Sequence, residues 1–189
     1  MGATDHLQPP TGVGWGSDHS GDALEVIEVA SAVLVRNFEL LRRRDGVQAG
    51  LDRAEYLLLR TLDATGPADI CTLAAALGLD PSTAGRQVAV MAGKGLVERA
   101  PAATDRRRSI ISPTADGLDR MSAARTMRQN STAELLADWT EEDLGKLAEM
   151  FTRYNRAVAE HYLGDLRPES AQPTVAAVEA LLPHATVGH

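Results

Sequence analysis

Two short groups of polar and basic side chains stand out in the middle of the 189-residue chain. The first group consists of four residues at helical spacing, Ser82, Thr83, Arg86 and Gln87. The second is a run of three consecutive arginines, Arg106, Arg107 and Arg108. Arginine forms bidentate contacts with guanine, and small hydroxyl side chains allow close approach to phosphate. These residue types together predict contacts with double-stranded DNA.

The basic character of this region is local. The whole chain is acidic, with 26 Asp and Glu against 19 Lys and Arg, a formal net charge of −7. Residues 82–112 nevertheless contain six basic and two acidic residues, a net charge of four positive. A polar helix face and a run of arginines each have a plainer interpretation as solvated surface. Their adjacency favours the DNA-binding interpretation.

Catalytic and metal-binding patterns are absent from the sequence. The five histidines lie mainly toward the chain ends and lack the i, i+4 spacing of a helical zinc pair, and no nucleophile elbow or phosphate loop is present. We therefore predict no enzyme activity, no metal and no cofactor. The single cysteine, Cys71, excludes an internal disulfide and is predicted to be a small buried residue, with an oxidation sensor as the alternative.

The ends of the chain carry no sign of export or membrane insertion. Residues 1–21 mix Gly, Pro, Asp and Ser and are predicted to be a flexible arm without a signal peptide. An uninterrupted apolar stretch of 18 residues is also missing, so no membrane association is expected. These features predict a cytoplasmic location.

The polar groups must be positioned by short helices. A helix over 51–62 is predicted to place Ala54, Leu57, Leu58 and Leu62 inward. A second helix, which Asp69 caps and which ends at Leu77, follows it, and a glycine-containing turn then leads to the next helix. Asp80 as N-cap and Pro81 at the first helical position begin that helix, which Gly95 closes with Leu96 against Met91 in a Schellman motif. This is the pattern of a helix-turn-helix.

Two strands and three long helices complete the predicted fold. The strands, 96–99 and 109–112, flank the arginine run and form a β-wing, and a winged helix spans about 51–113. Helices over about 22–44 and 114–163 carry apolar stripes that a winged helix alone cannot cover, so a second copy of the chain is expected to cover them. The fold class is mainly α, a winged helix-turn-helix with a small β-wing flanked by long N- and C-terminal dimerisation helices. The tail, 164–189, is compatible with a short helix over 174–182.

Four ordered blocks of sequence carry a family resemblance. They are residues 73–83, residues 94–99, the Asp105-Arg106-Arg107 triplet and residues 114–117. In this order and spacing the chain resembles the MarR family of winged-helix transcriptional regulators over about residues 22–163. The resemblance implies a dimer made by the terminal regions, a major-groove helix beginning near Pro81 and a wing in the minor groove.

The resemblance also implies roles for particular residues. Asp105 would brace the wing and Arg107 would reach DNA. A small aromatic or phenolic inducer would bind between the dimerisation helices and the winged helix, with Phe38, Tyr56 and Arg60 as weak candidates for its site. Phe38 and Tyr56 have a core interpretation that is at least as good.

Two positions depart from the family pattern. Gly85 stands where a side chain is usual in the DNA-contacting helix, which predicts one missing contact and a cost of about 1 kcal/mol relative to alanine. Pro113 stands where an apolar strand residue is usual and lacks a backbone donor, which predicts an early end of the strand.

These observations predict a sequence-specific DNA-binding regulator, a ligand-responsive repressor that binds a pseudo-palindromic operator as a homodimer. The alternative is an architectural DNA-packing or protein-interaction subunit without operator specificity.

Overall fold

The computed structural model describes residues 20–45, 50–102 and 108–163. Residues 1–19 of the predicted arm, and the tail with its predicted helix over 174–182, lie outside these ranges. The chain divides into two compact units, Met1–Asp45 and Gly46–His189.

The first unit contributes one described element, helix α1, which spans Ser20–Asp45. The predicted helix over 22–44 is therefore confirmed. Side chains of its predicted apolar stripe, including Leu24, Ile27, Val35 and Phe38, are exposed in the single chain.

The second unit contains the remaining described elements. They are α2 (Arg53–Thr65), β1 (Ala68–Asp69), α3 (Ile70–Leu77), α4 (Pro81–Gly93), β2 (Val97–Pro101), β3 (Ser109–Pro113), α5 (Ala115–Leu135) and α6 (Glu141–Val158), with a π-helical turn at Ala159–Leu163. The sheet is antiparallel in the order β1-β3-β2, with Ile111 opposite both Ala68 and Arg99. The mainly helical winged-helix fold is confirmed.

The core lies where α2, α3 and α4 meet the sheet and α5. Its members are aliphatic residues spaced at three and four along each helix, together with residues of or next to the strands: Leu58, Leu59, Leu62, Leu73, Val88, Met91, Leu96, Ile111 and Met121. Full burial of one such side chain contributes roughly 1.5–3 kcal/mol before the entropy cost of ordering it. The winged helix therefore has a continuous core of its own.

Short-range capping sets the helix starts. Asp69 accepts a hydrogen bond from the Thr72 amide at 2.8 Å and caps α3, as predicted. At α2, Asp52 accepts from the Glu55 amide at 2.8 Å while Glu55 Oε2 accepts from the Asp52 amide at 3.0 Å. This capping box starts α2 two residues later than the predicted Leu51. Its acidic pair, three residues apart, was visible in the sequence.

The predicted inward face of α2 is partly wrong. Leu58 and Leu62 are buried as expected, but Leu57 is exposed and Ala54 is half-buried. Leu59 and Thr61 are buried instead. The buried face is shifted because α2 packs against α3, α4, α5 and β3, so more than one stripe is covered.

The strands also differ from their prediction, and β2 spans Val97–Pro101 rather than 96–99. Pro113 does not end its strand early: β3 includes Pro113, which lies opposite Val97. It is tolerated because it is the terminal residue, where a missing donor interrupts no further pairing. The two-residue β1 was not predicted, since only its pairing with β3 makes it a strand.

Cys71 is exposed, so its predicted burial is wrong. It is the second residue of α3, whose buried residues are Leu73, Ala74, Ala75 and Ala76. The position therefore lies off the face that packs inward.

The last helices leave much apolar surface uncovered in the single chain. Helix α6 has no buried residue, and Leu144, Phe151, Tyr154 and Val158 are exposed along it.

Among the described residues, none of the helices is long and apolar enough to cross a membrane.

Candidate nucleic-acid interface

The turn between α3 and α4 orients the second helix on the first. Gly78 takes the left-handed conformation, with φ of 65°, and the Leu79 amide donates to the Ala74 carbonyl at 2.9 Å. This Schellman closure satisfies the carbonyls at the end of α3 and reverses the chain. Ala84 and Val88 of α4 are then fully buried, which leaves the opposite face of α4 outward.

The start of α4 is held by its N-cap. Asp80 Oδ1 accepts from the Ser82 hydroxyl at 2.5 Å and from the Thr83 amide at 2.9 Å. The hydrogen bonds from the Ser82 and Thr83 side chains, and then from the Thr83 amide, hold the pKa of Asp80 well below its usual value. Asp80 and Pro81 therefore occupy the two helix-starting positions predicted for them.

Three of the predicted DNA contacts lie together on the first turns of α4. Arg86 is exposed, and its guanidinium donates to Thr83 Oγ1 at 2.8 Å and to Ser82 Oγ at 3.5 Å. The side chain thus points back along the helix toward its N-terminus, the usual direction for long helical side chains. Ser82, Thr83 and Arg86 form one outward cluster of donors.

Gln87 is placed differently from that cluster. The residue is half-buried, and its side-chain oxygen is enclosed and has no hydrogen-bond partner in the described part of the chain. Its predicted contact with DNA stays a prediction.

The end of α4 carries the predicted Schellman motif. The Leu96 amide donates to the Met91 carbonyl at 3.0 Å, the Gly95 amide donates to the Ala92 carbonyl at 3.0 Å, and Gly95 has φ of 71°. This prediction is confirmed. Lys94, half-exposed at the C-cap, pairs with the buried carboxylate of Glu55, and the hydrogen bond to Glu55 raises the pKa of Lys94.

The wing is described at its base. Asp105, Arg106 and Arg107 lie outside the described residues, so their predicted roles remain predictions. The Ala102 amide donates to the Arg108 carbonyl at 2.9 Å and closes the pair of strands. Arg108 also forms an ion pair with Asp69 Oδ2, although its side chain stays largely exposed.

Asp69 therefore has two functions. One carboxylate oxygen caps α3 and the other holds Arg108 at the base of the wing. The capping role was predicted from sequence. The ion pair was missed, because no local pattern relates residues 39 positions apart.

Arg99 is a second contact between sheet and helix that was not predicted. Its guanidinium donates to the Gly85 carbonyl at 3.3 Å, which ties β2 to α4. A methyl group on Gly85 would lie 4.0 Å from the Ile70 side chain, an ordinary contact distance. Gly85 is therefore not required by close packing.

Gly117 is required by close packing. Thr114 caps α5 by accepting from the Gly117 amide at 3.0 Å, and its hydroxyl donates to the Gly95 carbonyl at 2.6 Å. A methyl group on Gly117 would overlap the carbonyl oxygen of Leu96. The block 114–117 thus joins α5 to the end of α4.

A cleft of about 650 Å³ lies between α2, α5 and α6. Tyr56 and Arg60, two of the three candidate ligand residues, line it together with Arg125, Arg128 and Trp139. The Arg128 guanidinium stacks 4.0 Å from the centre of the Tyr56 ring. Phe38, the third candidate, belongs to α1 in the other unit.

Comparison with known proteins points to one family. The family model described as MarR family matches residues 49–108. The chain is 31% identical over 134 residues to the uncharacterized HTH-type transcriptional regulator YxaD of Bacillus subtilis (strain 168), which covers 71% of this chain and 94% of that protein.

Solved structures share the fold. A MarR family protein from Bacillus stearothermophilus superposes with a TM-score of 0.65 at 16% identity, over 74% of this chain and 98% of that one. The YusO protein from Bacillus subtilis superposes with a TM-score of 0.58 at 19% identity, over 74% of this chain and 99% of that one.

Proposed function

Because the chain belongs to the MarR family of DNA-binding transcriptional regulators, we propose that it is a ligand-responsive repressor that binds a pseudo-palindromic operator as a homodimer. The observation that carries this proposal is the outward cluster of Ser82, Thr83 and Arg86 on α4. These side chains project from a helix whose opposite face is fully buried, the arrangement needed to enter a major groove.

Base and phosphate contacts have different sources in this proposal. Arg86 contacts a guanine edge, while Ser82 and Thr83 approach the backbone and Gln87 faces a neighbouring base. Arg106 and Arg107 extend from the wing and contact phosphates or the minor groove of DNA. Asp105 braces the wing. Arg108 can join them without leaving Asp69, since a guanidinium has five donors.

The homodimer is supported by the uncovered apolar residues of the terminal helices. Leu24, Ile27 and Val35 on α1, and Phe151 and Tyr154 on α6, are exposed in the single chain. A second copy that buries them would place two α4 helices on one face of DNA, about one helical turn apart. Light scattering on dilute protein should give about twice the 20.1 kDa chain mass. A stable, well-folded monomer would contradict the dimer.

Ligand response is proposed for the cleft between α2, α5 and α6. Arg60, Arg125 and Arg128 offer charge for a carboxylate, and Tyr56 and Trp139 offer rings, so an aromatic acid fits the lining. Benzoate should raise the melting temperature of the wild-type protein and weaken its binding to DNA. An Arg125→Ala variant should lose both effects, whereas Arg120→Ala, outside the cleft lining, should retain them.

Selection from random DNA tests sequence specificity and separates the two candidate functions. Recovery of a two-fold symmetric site with half-sites roughly 10 bp apart, or a multiple of it, supports the repressor. Recovery of sequence-neutral DNA, with even coating in a footprint, would favour the architectural alternative.

Two arginine variants test which part of DNA each arginine contacts. Arg86→Ala should relax preference at one position of each half-site, by roughly 1–3 kcal/mol of discrimination. Arg107→Ala should weaken binding to most sequences alike and flatten the plot of log affinity against log salt by about two units for two wings. If Arg86→Ala changed only the salt slope, α4 would be lying on the backbone rather than contacting bases.

A further inference from the structure

Val90 is an exposed apolar side chain in a part of the chain where most large apolar side chains are not exposed. Among the residues described between 50 and 134, Leu57 and Val90 are the large hydrophobic side chains that are exposed. Leu57 borders the cleft described above. Val90 stands on α4 and is 56% exposed.

Val90 lies on the outward face of α4, the face that carries Arg86. It follows Arg86 by four residues, which puts the two side chains one above the other on the same side of the helix. The buried residues of α4, Ala84, Val88 and Met91, lie on the opposite side.

The long cationic neighbours of Val90 are both held away from it. Arg86, one turn before, is directed to Ser82 and Thr83 at the start of the helix. Lys94, one turn after, is paired with the buried carboxylate of Glu55 on α2. Neither aliphatic stem is therefore free to fold over Val90, and its methyl groups remain open on the face that carries Arg86.

The chemistry of the major groove supplies one apolar feature for such a residue. Thymine alone of the four bases presents a methyl group there, and apolar side chains contact it. Four residues of helix span about 6 Å, or roughly two base-pair steps of 3.4 Å. A thymine that meets Val90 therefore lies within about two base pairs of the base that Arg86 contacts.

We propose that Val90 is a specificity-determining residue that contacts the 5-methyl group of a thymine in each half-site. This inference rests on the proposed sequence-specific binding by α4. The contact removes apolar surface on both partners from water and requires no hydrogen bond, so it distinguishes thymine from uracil, which differ only by that methyl group.

The test uses the full chain and the site recovered by selection. Each thymine of the site is replaced in turn by deoxyuridine, and the dissociation constant is measured at one salt concentration. One thymine near the guanine assigned by Arg86→Ala should lose about fourfold in affinity, the factor that corresponds to about 0.8 kcal/mol for one methyl-sized group. The other thymines should tolerate the change.

Two variants complete the cycle. In Val90→Ala the same replacement should have no effect, whereas Val90→Thr, which keeps one methyl group, should retain part of the discrimination. Arg86→Ala is the matched control on the same face and should keep the full preference for thymine over uracil. Val90 is exposed, and equal melting temperatures of the variants establish that they are folded.

The possible outcomes distinguish a failure of the Val90 contact from a failure of sequence-specific binding. A two-fold site at which no thymine responds to deoxyuridine, or a response that persists in Val90→Ala, overturns the role of Val90 and leaves the repressor proposal standing. Recovery of no preferred sequence overturns both.

Discussion

Apolar residues at helical spacing are buried in the winged helix but exposed on the terminal helices of the single chain. In the winged helix, Leu58, Leu73 and Met91 are fully buried within one chain. On α1 and α6, Val35 and Tyr154 keep more than half of their surface exposed at helical spacing that is just as regular. Apolar periodicity therefore identifies a face that must be covered, but not whether the cover comes from the same chain.

Close packing within the single chain should have its largest effect on stability at Gly117, which lies against Leu96. Gly117→Ala should lower the free energy of unfolding by about 3 kcal/mol, because the new methyl group overlaps the Leu96 carbonyl oxygen. Urea denaturation at two protein concentrations measures the loss. Gly145→Ala is the control: it also lies inside a helix but has open space around it, so it should stabilise by up to about 1 kcal/mol. Equal effects of the two variants would contradict the packing argument.

The second prediction concerns the terminal helices. Phe151→Lys should weaken the proposed dimer by about 2 kcal/mol, roughly thirtyfold in its dissociation constant, because a charge replaces an apolar contact with the second copy. Sedimentation velocity over a dilution series measures the change. Val90→Lys, at a position on α4 that is more exposed than Phe151, should leave the oligomeric state unaltered. If both variants remained dimeric at every dilution, α6 would not be part of the interface.

The third prediction compares two threonine N-caps. Thr114→Ala should destabilise by about 2 kcal/mol, because Thr114 both caps α5 and donates to the Gly95 carbonyl. Thr140→Ala at the start of α6 should cost about 1 kcal/mol, since the Thr140 hydroxyl hydrogen-bonds Asp143 of its own first turn. Thermal unfolding checks the order. A larger loss for Thr140 would mean that α6 contributes more to the fold of the single chain than its exposure indicates.

The smallest expected effect is at Gly85. Gly85→Ala should raise the free energy of unfolding by about 0.5–1 kcal/mol, because its methyl group meets Ile70 at 4.0 Å and improves helix propensity. Its affinity for the selected site should be unchanged, since Ser82, Thr83 and Arg86 keep their positions. A loss of affinity without loss of stability would instead place the backbone of Gly85 against DNA.

Much of the fold and the first turns of the candidate interface could be predicted from the sequence. The N-caps Asp69 and Asp80 and the Schellman glycine Gly95 all stand where they were expected. Arg86, Ser82 and Thr83 come together because their spacing alone brings them onto one helical face. Cys71 and Leu57 were misplaced, because their burial depends on which neighbours approach the helix.

Helix starts, helix ends and the turn between α3 and α4 follow from the local sequence, because they depend on bonds between residues a few positions apart. The pairing of Asp69 with Arg108 and of Glu55 with Lys94, each across 39 positions, follows from the folded chain, as does the exposure of Val90 between two cations that are held elsewhere. The physical reason is range. Backbone geometry holds near neighbours within hydrogen-bond distance in any copy of the local pattern, whereas distant partners meet only after the core has closed around Leu58, Met91 and Ile111.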